Sequence, residues 1–159
     1  MKYYLAYGSN LNKYQMNFRC PDSVPAGSCV LNNWELVFRR GVLTIEPSPG
    51  SFVPLGIWKI SADDEKSLDR YEGYPHLYYK HMFPILLNGY RDVEAFNAGK
   101  KEVEEVVGEA MAYIMTDGHK IEEPSFSYLR TVRQGYKDFG FDTAPLMKAY
   151  RKSKKGGDA

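Results

Sequence analysis

The amino-acid sequence predicts an α+β fold, in which a mostly antiparallel β-domain is combined with about three helices. Strand-like segments cluster along the chain instead of alternating with helices, which argues against a doubly wound parallel sheet. The dipeptide Asn88-Gly89 is the strongest hairpin signal, because both residue types tolerate the positive φ of a type I′ turn. From Ser125 onward, apolar residues recur at steps of three and four, which is the spacing of an amphipathic helix.

The strands are predicted from short apolar and β-branched runs. Residues 2–7 form a short buried strand that stops at Gly8. Residues 47–50 contain two prolines and a glycine, and they predict a loop. The remaining strands are expected over residues 34–39, 42–45, 53–60, 78–87 and 109–115.

The hairpin signal predicts a specific pairing in the second half of the chain. It joins the strand over residues 78–87 to residues 90–96. Residues 100–107 are highly charged and are expected to form either a loop or a short helix.

Helix boundaries follow from capping residues. Ser61, followed by acidic residues in the first turn, predicts a helix that runs to about Tyr71 and is ended by Gly73. The long helix that opens at Ser125 is closed by Gly140. Two shorter helical segments are expected to start near Leu11 or Asn12 and to cover residues 144–150.

Composition limits the classes of partner. The chain has 159 residues and a net charge of +1, which suits one compact domain and does not favour nucleic acid as a partner. We assign residues 1–152 to this domain and residues 153–159 to a disordered polar tail. The N-terminus lacks the features of a signal peptide and no segment is apolar enough to span a membrane, so a cytoplasmic location is expected.

The cysteines and histidines do not form a recognisable metal or nucleophile motif. Cys20 and Cys29 are too few for a disulfide scaffold, although one disulfide between them remains open. The histidines are scattered and lack ligand spacing, so no metal and no cofactor are expected. The motifs of acyl-enzyme hydrolysis, nucleotide triphosphate chemistry and hydride transfer are also missing from the sequence.

Two segments contain residues suited to chemistry. In residues 7–11, Gly8 follows a strand and precedes small polar residues, and successive N–H groups in such a turn can bind an anion. Glu72 lies at a helix end next to Tyr71 and near Tyr74, and an apolar surround would raise the pKa of its carboxyl group. Taken alone, the first segment favours an ordinary strand-to-helix turn and the second favours an exposed glutamate at a helix end.

Together these segments resemble the γ-glutamylcyclotransferase-like family. Tyr7-Gly8-Ser9-Asn10-Leu11 is similar to its substrate loop, and residues 68–73, Leu-Asp-Arg-Tyr-Glu-Gly, are similar to the segment with its catalytic glutamate. Further blocks of resemblance are Thr44-Ile45-Glu46-Pro47, Gly50, Gly56-Ile57-Trp58, residues 124–129 and Gly135-Tyr136. Residues 89–108 form a longer stretch than compact members of the family have.

The resemblance implies a small, mostly antiparallel β-barrel flanked by helices. It also implies that a γ-glutamyl group is cyclised to 5-oxoproline with release of an amine or amino acid. Glu72 is then the catalytic general acid and base. The implied substrate-binding residues are Tyr7, Gly8, Ser9, Asn10, Leu11, Tyr79 and Tyr113.

Three other functions remain open at this point. The chain could be a non-catalytic relative that binds a γ-glutamyl group or another small carboxylate. It could instead hydrolyse an amide by water attack, or act as a protein-interaction module. The sequence leaves open the amine attached to the γ-glutamyl group, the donors to a developing oxyanion and the oligomeric state.

Overall fold

The computed structural model describes residues 1–85 and 108–155, and its centre is a five-stranded mixed sheet. The strands lie in the order β2-β3-β1-β5-β4, and neighbours are antiparallel except for the parallel pair β1 and β5. The strands are β1 (Lys2–Ala6), β2 (Val24–Arg39), β3 (Val42–Ile60), β4 (Tyr78–Ile85) and β5 (Gly108–Met115). The helices are a 3₁₀ turn (Ser9–Leu11), α1 (Lys13–Arg19), α2 (Ala62–Glu72), α3 (Phe126–Phe139) and α4 (Ala144–Lys154).

The predicted α+β class is confirmed, but the predicted closed barrel is not, because β2 and β4 are separate edges of the described sheet. The two edges meet through side chains instead of backbone hydrogen bonds. Trp34 of β2 packs against Phe83 of β4, with ring centroids 5.5 Å apart, and also against His81. Trp34 therefore brings the edge strand β2 into side-chain contact with the edge strand β4 without closing the sheet.

The loop predicted at residues 47–50 is wrong, because β3 runs through them. Trp34 pairs with Pro47 and Asn32 pairs with Phe52, so a register irregularity separates these pairs. Gly50 has a φ of +84° and its N–H donates to Asn33 Oδ1 at 3.1 Å. The turn-forming residues therefore mark an irregularity within a strand, which the composition alone does not distinguish from a loop.

The capping predictions for α2 and α3 are confirmed. Ser61 accepts a hydrogen bond from the Asp64 N–H, and the Asp64 carboxylate accepts one from the Ser61 N–H, so the two residues form a capping box. Gly73 follows α2 with a φ of +66°, and Gly140 follows α3 with a φ of +72°. Glu72 is consequently fixed as the last residue of α2, at the point where the chain leaves the helix.

The chain end differs from the prediction. Helix α4 continues to Lys154 instead of ending near residue 150, and Ser153 is buried. The first residues of the predicted polar tail are therefore helical, while residues 156–159 lie outside the described part. The hairpin at Asn88-Gly89, its partner residues 90–96 and the charged residues 100–107 also lie outside it. No helix in the described ranges is long and apolar enough to cross a membrane.

Two glycines allow the 3₁₀ turn to pack directly against its neighbours. A Cβ atom on Gly135 of α3 would lie 2.6 Å from Leu11 Cβ, and one on Gly56 of β3 would lie 2.7 Å from Leu11 Cδ2. Leu11 itself is fully buried. The turn after β1 is therefore held between β3 and α3 at a distance that a larger residue would prevent.

We predict that Gly135→Ala destabilises the protein. In a helix interior this change ordinarily stabilises by about 1 kcal/mol. Here the added methyl group collides with Leu11 and the Asn12 backbone nitrogen, so we expect a net loss of about 1–3 kcal/mol in the free energy of unfolding. Urea denaturation measures it. Gly108→Ala is the control, since its Cβ would meet nothing within 4 Å, and an equal effect of both changes would contradict the packing account.

Candidate active site

A cavity of about 240 Å³ lies where the 3₁₀ turn, the end of α2 and the start of β4 meet. Six of its lining residues are tyrosines, so its walls combine apolar rings with hydroxyl groups. The lining residues are Tyr4, Tyr7, Gly8, Ser9, Asn10, Val42, Leu43, Tyr71, Glu72, Leu77, Tyr78, Tyr113 and Tyr128. Most of the residues predicted from the sequence therefore meet in one place.

The turn presents backbone N–H groups to this cavity. The Leu11 N–H donates to the Gly8 carbonyl oxygen at 3.0 Å, which closes the 3₁₀ turn. The N–H groups of Gly8, Ser9 and Asn10 precede that first bond, and such groups have no partner inside a helix. Trp58 of β3 also holds the turn in place, because its Nε1–H donates to the Asn10 carbonyl oxygen at 3.0 Å.

The structure corrects the role predicted for Leu11. Its N–H is used within the turn, and its side chain is buried between Gly56 and Gly135 instead of lining the cavity. Leu11 therefore anchors the turn, while Gly8, Ser9 and Asn10 face the cavity. At Gly8 a Cβ atom would lie 3.3 Å from the Tyr128 hydroxyl oxygen, so the absence of a side chain keeps this wall open.

Glu72 contributes the carboxyl group of the cavity. Its Oε1 accepts a hydrogen bond from Asn10 Nδ2 at 3.3 Å, which links the end of α2 to the turn. Burial raises the pKa of Glu72 from 4.5 to about 7, and the positive charge of Arg19 opposes part of that rise. A carboxyl group with this pKa can both accept and donate a proton near neutral pH.

Three tyrosine hydroxyl groups of the cavity donate to fixed acceptors within the protein. Tyr7 donates to the Tyr113 carbonyl oxygen at 2.5 Å, and Tyr78 donates to the Leu43 carbonyl oxygen at 2.7 Å. Tyr113 donates to Asp69 Oδ1 at 2.6 Å. These protons hold the walls together and are not available to a ligand.

Two other tyrosines accept hydrogen bonds at the hydroxyl oxygen. Tyr4 accepts from Asn10 Nδ2 at 2.9 Å, and Tyr128 accepts from the Leu43 N–H at 3.0 Å. Burial is the main cause that raises the pKa of both tyrosines above its ordinary value, so both keep their protons. Tyr4 and Tyr128 can therefore donate hydrogen bonds to a bound molecule.

The structure contradicts the expectation that Tyr79 lines the cavity. Tyr79 is 42% exposed and points to the opposite side of β4, whereas its neighbour Tyr78 is 5% exposed and faces Glu72. Alternate residues of a strand face opposite sides, so a shift of one residue exchanges the two tyrosines. Sequence reasoning also missed Tyr4 and Tyr128, of which Tyr128 lies in one of the resembling blocks without having been assigned a role.

Ionic contacts hold α2 against β4. Lys80 Nζ lies 2.7 Å from Glu65 Oε2 and 3.1 Å from Asp69 Oδ1. Asp69 also accepts the Tyr113 hydroxyl, so one carboxylate joins α2, β4 and β5. Glu72 lies one helical turn after Asp69, and this network therefore positions it next to the cavity.

The histidines and cysteines lie away from this cavity. His81 packs against Trp34 and Phe83, and His119 contacts Thr116 Oγ1 at 3.2 Å. In the described ranges, which include both cysteines, there is no disulfide and no cluster of residues that could hold a metal ion. Burial raises the pKa of the Cys20 thiol to about 12, so it is not an activated nucleophile.

A carboxyl group with a raised pKa beside the start of a 3₁₀ turn is an arrangement that can support acid–base chemistry on a small anionic ligand. The model of the family described as gamma-glutamyl cyclotransferase, AIG2-like, matches residues 4–130. The chain belongs to this family. Comparison with curated proteins gives no significant match.

Solved structures share the fold. A protein titled gamma-glutamyl cyclotransferase is 24% identical to this chain, with a TM-score of 0.67. The match covers 96% of this chain and 86% of that one. A human protein titled as uncharacterised is 25% identical over the same shares, also with a TM-score of 0.67. A yeast cyclotransferase titled as specific to glutathione is 14% identical with a TM-score of 0.50, over 95% of this chain and 98% of that one.

Adjacent tyrosines of β4 provide a test of which side faces the cavity. We predict that Tyr78→Phe lowers the free energy of unfolding by about 1–2 kcal/mol, because the buried Leu43 carbonyl oxygen loses a hydrogen bond. Tyr79→Phe is the matched control and should change it by less than about 0.5 kcal/mol. Urea denaturation compares them, and a larger loss for Tyr79→Phe would contradict the assignment.

The raised pKa of Glu72 predicts a stability that depends on pH. The folded protein retains the Glu72 proton up to about pH 7, whereas an unfolded chain loses it near pH 4.5, so stability falls across this window. Glu72→Gln should therefore be more stable than wild type above pH 7, by up to about 3 kcal/mol, with the difference vanishing below about pH 4. Thermal and urea unfolding at several pH values measure it.

Glu65 on the same helix is the control with the opposite sign. Burial alone would raise the pKa of Glu65, but hydrogen bonds from Lys80 and Lys2 lower it. Glu65→Gln should therefore cost stability at neutral pH, with the cost disappearing in acid. If Glu72→Gln behaved like Glu65→Gln, the burial of the Glu72 carboxyl group would be disproved.

Proposed function

We propose that this protein is a γ-glutamylcyclotransferase, which converts a γ-glutamyl compound into 5-oxoproline and a free amine or amino acid. The observation that supports this most is the Glu72 carboxyl group, whose pKa burial raises to about 7 and which accepts a hydrogen bond from Asn10 of the turn. Family membership provides independent support. The reaction is an intramolecular acyl transfer, so the protein needs no nucleophile of its own.

The substrate is held at its α-carboxylate in this proposal. The N–H groups of Gly8, Ser9 and Asn10 surround that carboxylate, as an anion-binding turn does. The cavity volume of about 240 Å³ is small, which favours a compact acyl group with its amine portion directed outward. Holding the α-amino group near the γ-carbonyl carbon replaces a collision by an intramolecular step, which is worth about 7–11 kcal/mol in the best cases.

Glu72 transfers the proton in both halves of the reaction. As the carboxylate it accepts a proton from the substrate α-ammonium group, and the freed amine attacks the γ-carbonyl carbon. The new C–N bond closes the five-membered lactam. Glu72 then returns this proton to the leaving nitrogen as the original amide C–N bond breaks. The second surplus proton of the attacking nitrogen passes through Glu72 to the released amine, which leaves as an ammonium ion. The lactam nitrogen is thereby neutral, no water is consumed and Glu72 ends deprotonated.

Tyr4 and Tyr128 are the proposed donors to the negative charge that develops on the γ-carbonyl oxygen. Tyr7, Tyr78 and Tyr113 donate their protons within the protein and form the walls instead. Donors that are already oriented need little rearrangement when the charge forms, which is the source of their catalytic benefit.

The experiment is mass spectrometry of a mixture of γ-glutamyl dipeptides and γ-glutamyl amines incubated with the protein. Cyclisation gives 5-oxoproline, whereas hydrolysis gives free glutamate, so the product distinguishes these reactions. A non-catalytic relative would yield neither product but would be stabilised thermally by 5-oxoproline or an uncleaved substrate. Free glutamate as the product, or thermal stabilisation without any product, would contradict the proposal.

We predict that Glu72→Gln lowers the rate of 5-oxoproline formation at least about 100-fold, because an amide cannot transfer the proton. The variant should remain folded and keep its affinity for 5-oxoproline within about tenfold, because the N–H groups of the turn remain in place. Glu122→Gln, an exposed carboxylate outside the cavity, is the control and should keep wild-type turnover. Turnover close to wild type by Glu72→Gln would remove Glu72 from the mechanism.

A further inference from the structure

Arg19 lies beside the cavity without lining it. It is the last residue of α1, and its guanidinium carbon lies 3.5 Å from the centre of the Tyr71 ring. Its Nη2 donates to Gln15 Oε1 at 2.8 Å, and its Nη1 donates to Asn10 Oδ1. The planar guanidinium group thus joins α1 to both the turn and the end of α2.

The bond from Arg19 determines which way the Asn10 amide group points. Because Asn10 Oδ1 accepts from a cation, Nδ2 is directed to Tyr4 Oη at 2.9 Å and to Glu72 Oε1 at 3.3 Å. The reversed amide would place an oxygen against the Glu72 carboxylate and an N–H₂ group against the guanidinium group. Both of those contacts are repulsive, so Arg19 selects the orientation that serves Glu72.

Among the described residues, Arg19 is also the positively charged group that opposes the rise in the pKa of Glu72. Lys80, another nearby cation, is paired with Glu65 and Asp69. On Glu72's own helix, Tyr71 bonds to Ser9. The other titratable groups that face Glu72 are tyrosines, which are neutral near pH 7. They are Tyr4 on β1, Tyr7 directly after β1, Tyr78 on β4, Tyr113 on β5 and Tyr128 on α3.

We propose that Arg19 is a positioning residue for the reaction, which orients the Asn10 amide toward Glu72 and stabilises the carboxylate form that accepts the substrate proton. Its catalytic meaning rests on the proposed function, whereas its effect on Glu72 does not. Without the guanidinium charge Glu72 holds its proton to higher pH, because burial is no longer opposed. The base form of Glu72 then becomes scarcer at pH values below neutrality.

Carboxyl-carbon NMR of protein labelled with ¹³C-glutamate tests this directly, and the Glu72→Gln spectrum identifies the resonance. The titration midpoint of Glu72 should move to higher pH in Arg19→Gln, which keeps a hydrogen-bond donor but loses the charge. Arg70→Gln is the matched control, because Arg70 is exposed, lies two residues from Glu72 and bonds only weakly to Ser67. A midpoint in Arg19→Gln equal to that of wild type, or a larger shift in Arg70→Gln, would overturn the proposal.

Turnover gives a second measurement. In Arg19→Gln, kcat/KM should fall at least about threefold more at pH 6 than at pH 9 relative to wild type, because the acid limb moves upward. Arg19→Lys retains the charge, so it should restore the acid limb, while its single ammonium group lowers the plateau rate. A loss of activity that is equal at all pH values would show a merely structural role. Absence of turnover in wild type would refute the proposed function but leave the NMR test intact.

Discussion

The close packing of the 3₁₀ turn against β3 and α3 is the constraint on which the rest of this site depends. Gly56 and Gly135 allow Leu11 to enter the core, and Trp58 holds the Asn10 carbonyl oxygen. With Leu11 and the carbonyl fixed, Gly8, Ser9 and Asn10 are held along the wall of the cavity. Packing energy in the core is thereby used to orient polar groups that would otherwise be mobile on the surface.

The tyrosines of the cavity serve two different physical purposes. Some donate to backbone or carboxylate acceptors and keep the walls in place, while Tyr4 and Tyr128 accept and retain a proton to donate. Because all of them are neutral, they surround Glu72 without supplying charge to offset its burial. The carboxyl group consequently depends on Asn10 and Arg19 for stabilisation of its charged form.

The sequence predicted the local elements well where capping chemistry is specific. Ser61 and Gly73 fixed both ends of α2 and so the position of Glu72. Prediction failed where distant partners decide the outcome. The prolines near Gly50 are compatible with a loop or a strand, and the pairing with β2 makes this segment a strand. Whether Tyr78 or Tyr79 lines the cavity depends on which face of β4 meets α2. The barrel that the family resemblance implies is not confirmed, because β2 and β4 are separate edges in the described part of the sheet. Closure depends on how the two edges meet, which no local pattern reports.

In the proposed function, the turn and Glu72 form one binding site for a γ-glutamyl group. Amide NMR during titration with 5-oxoproline tests it most directly, since the product carries the carboxylate that the turn would hold. The account predicts that the N–H resonances of Gly8, Ser9 and Asn10 shift downfield while that of Leu11, already bonded to Gly8, moves little. Saturable shifts elsewhere that leave Gly8, Ser9 and Asn10 unchanged would contradict it.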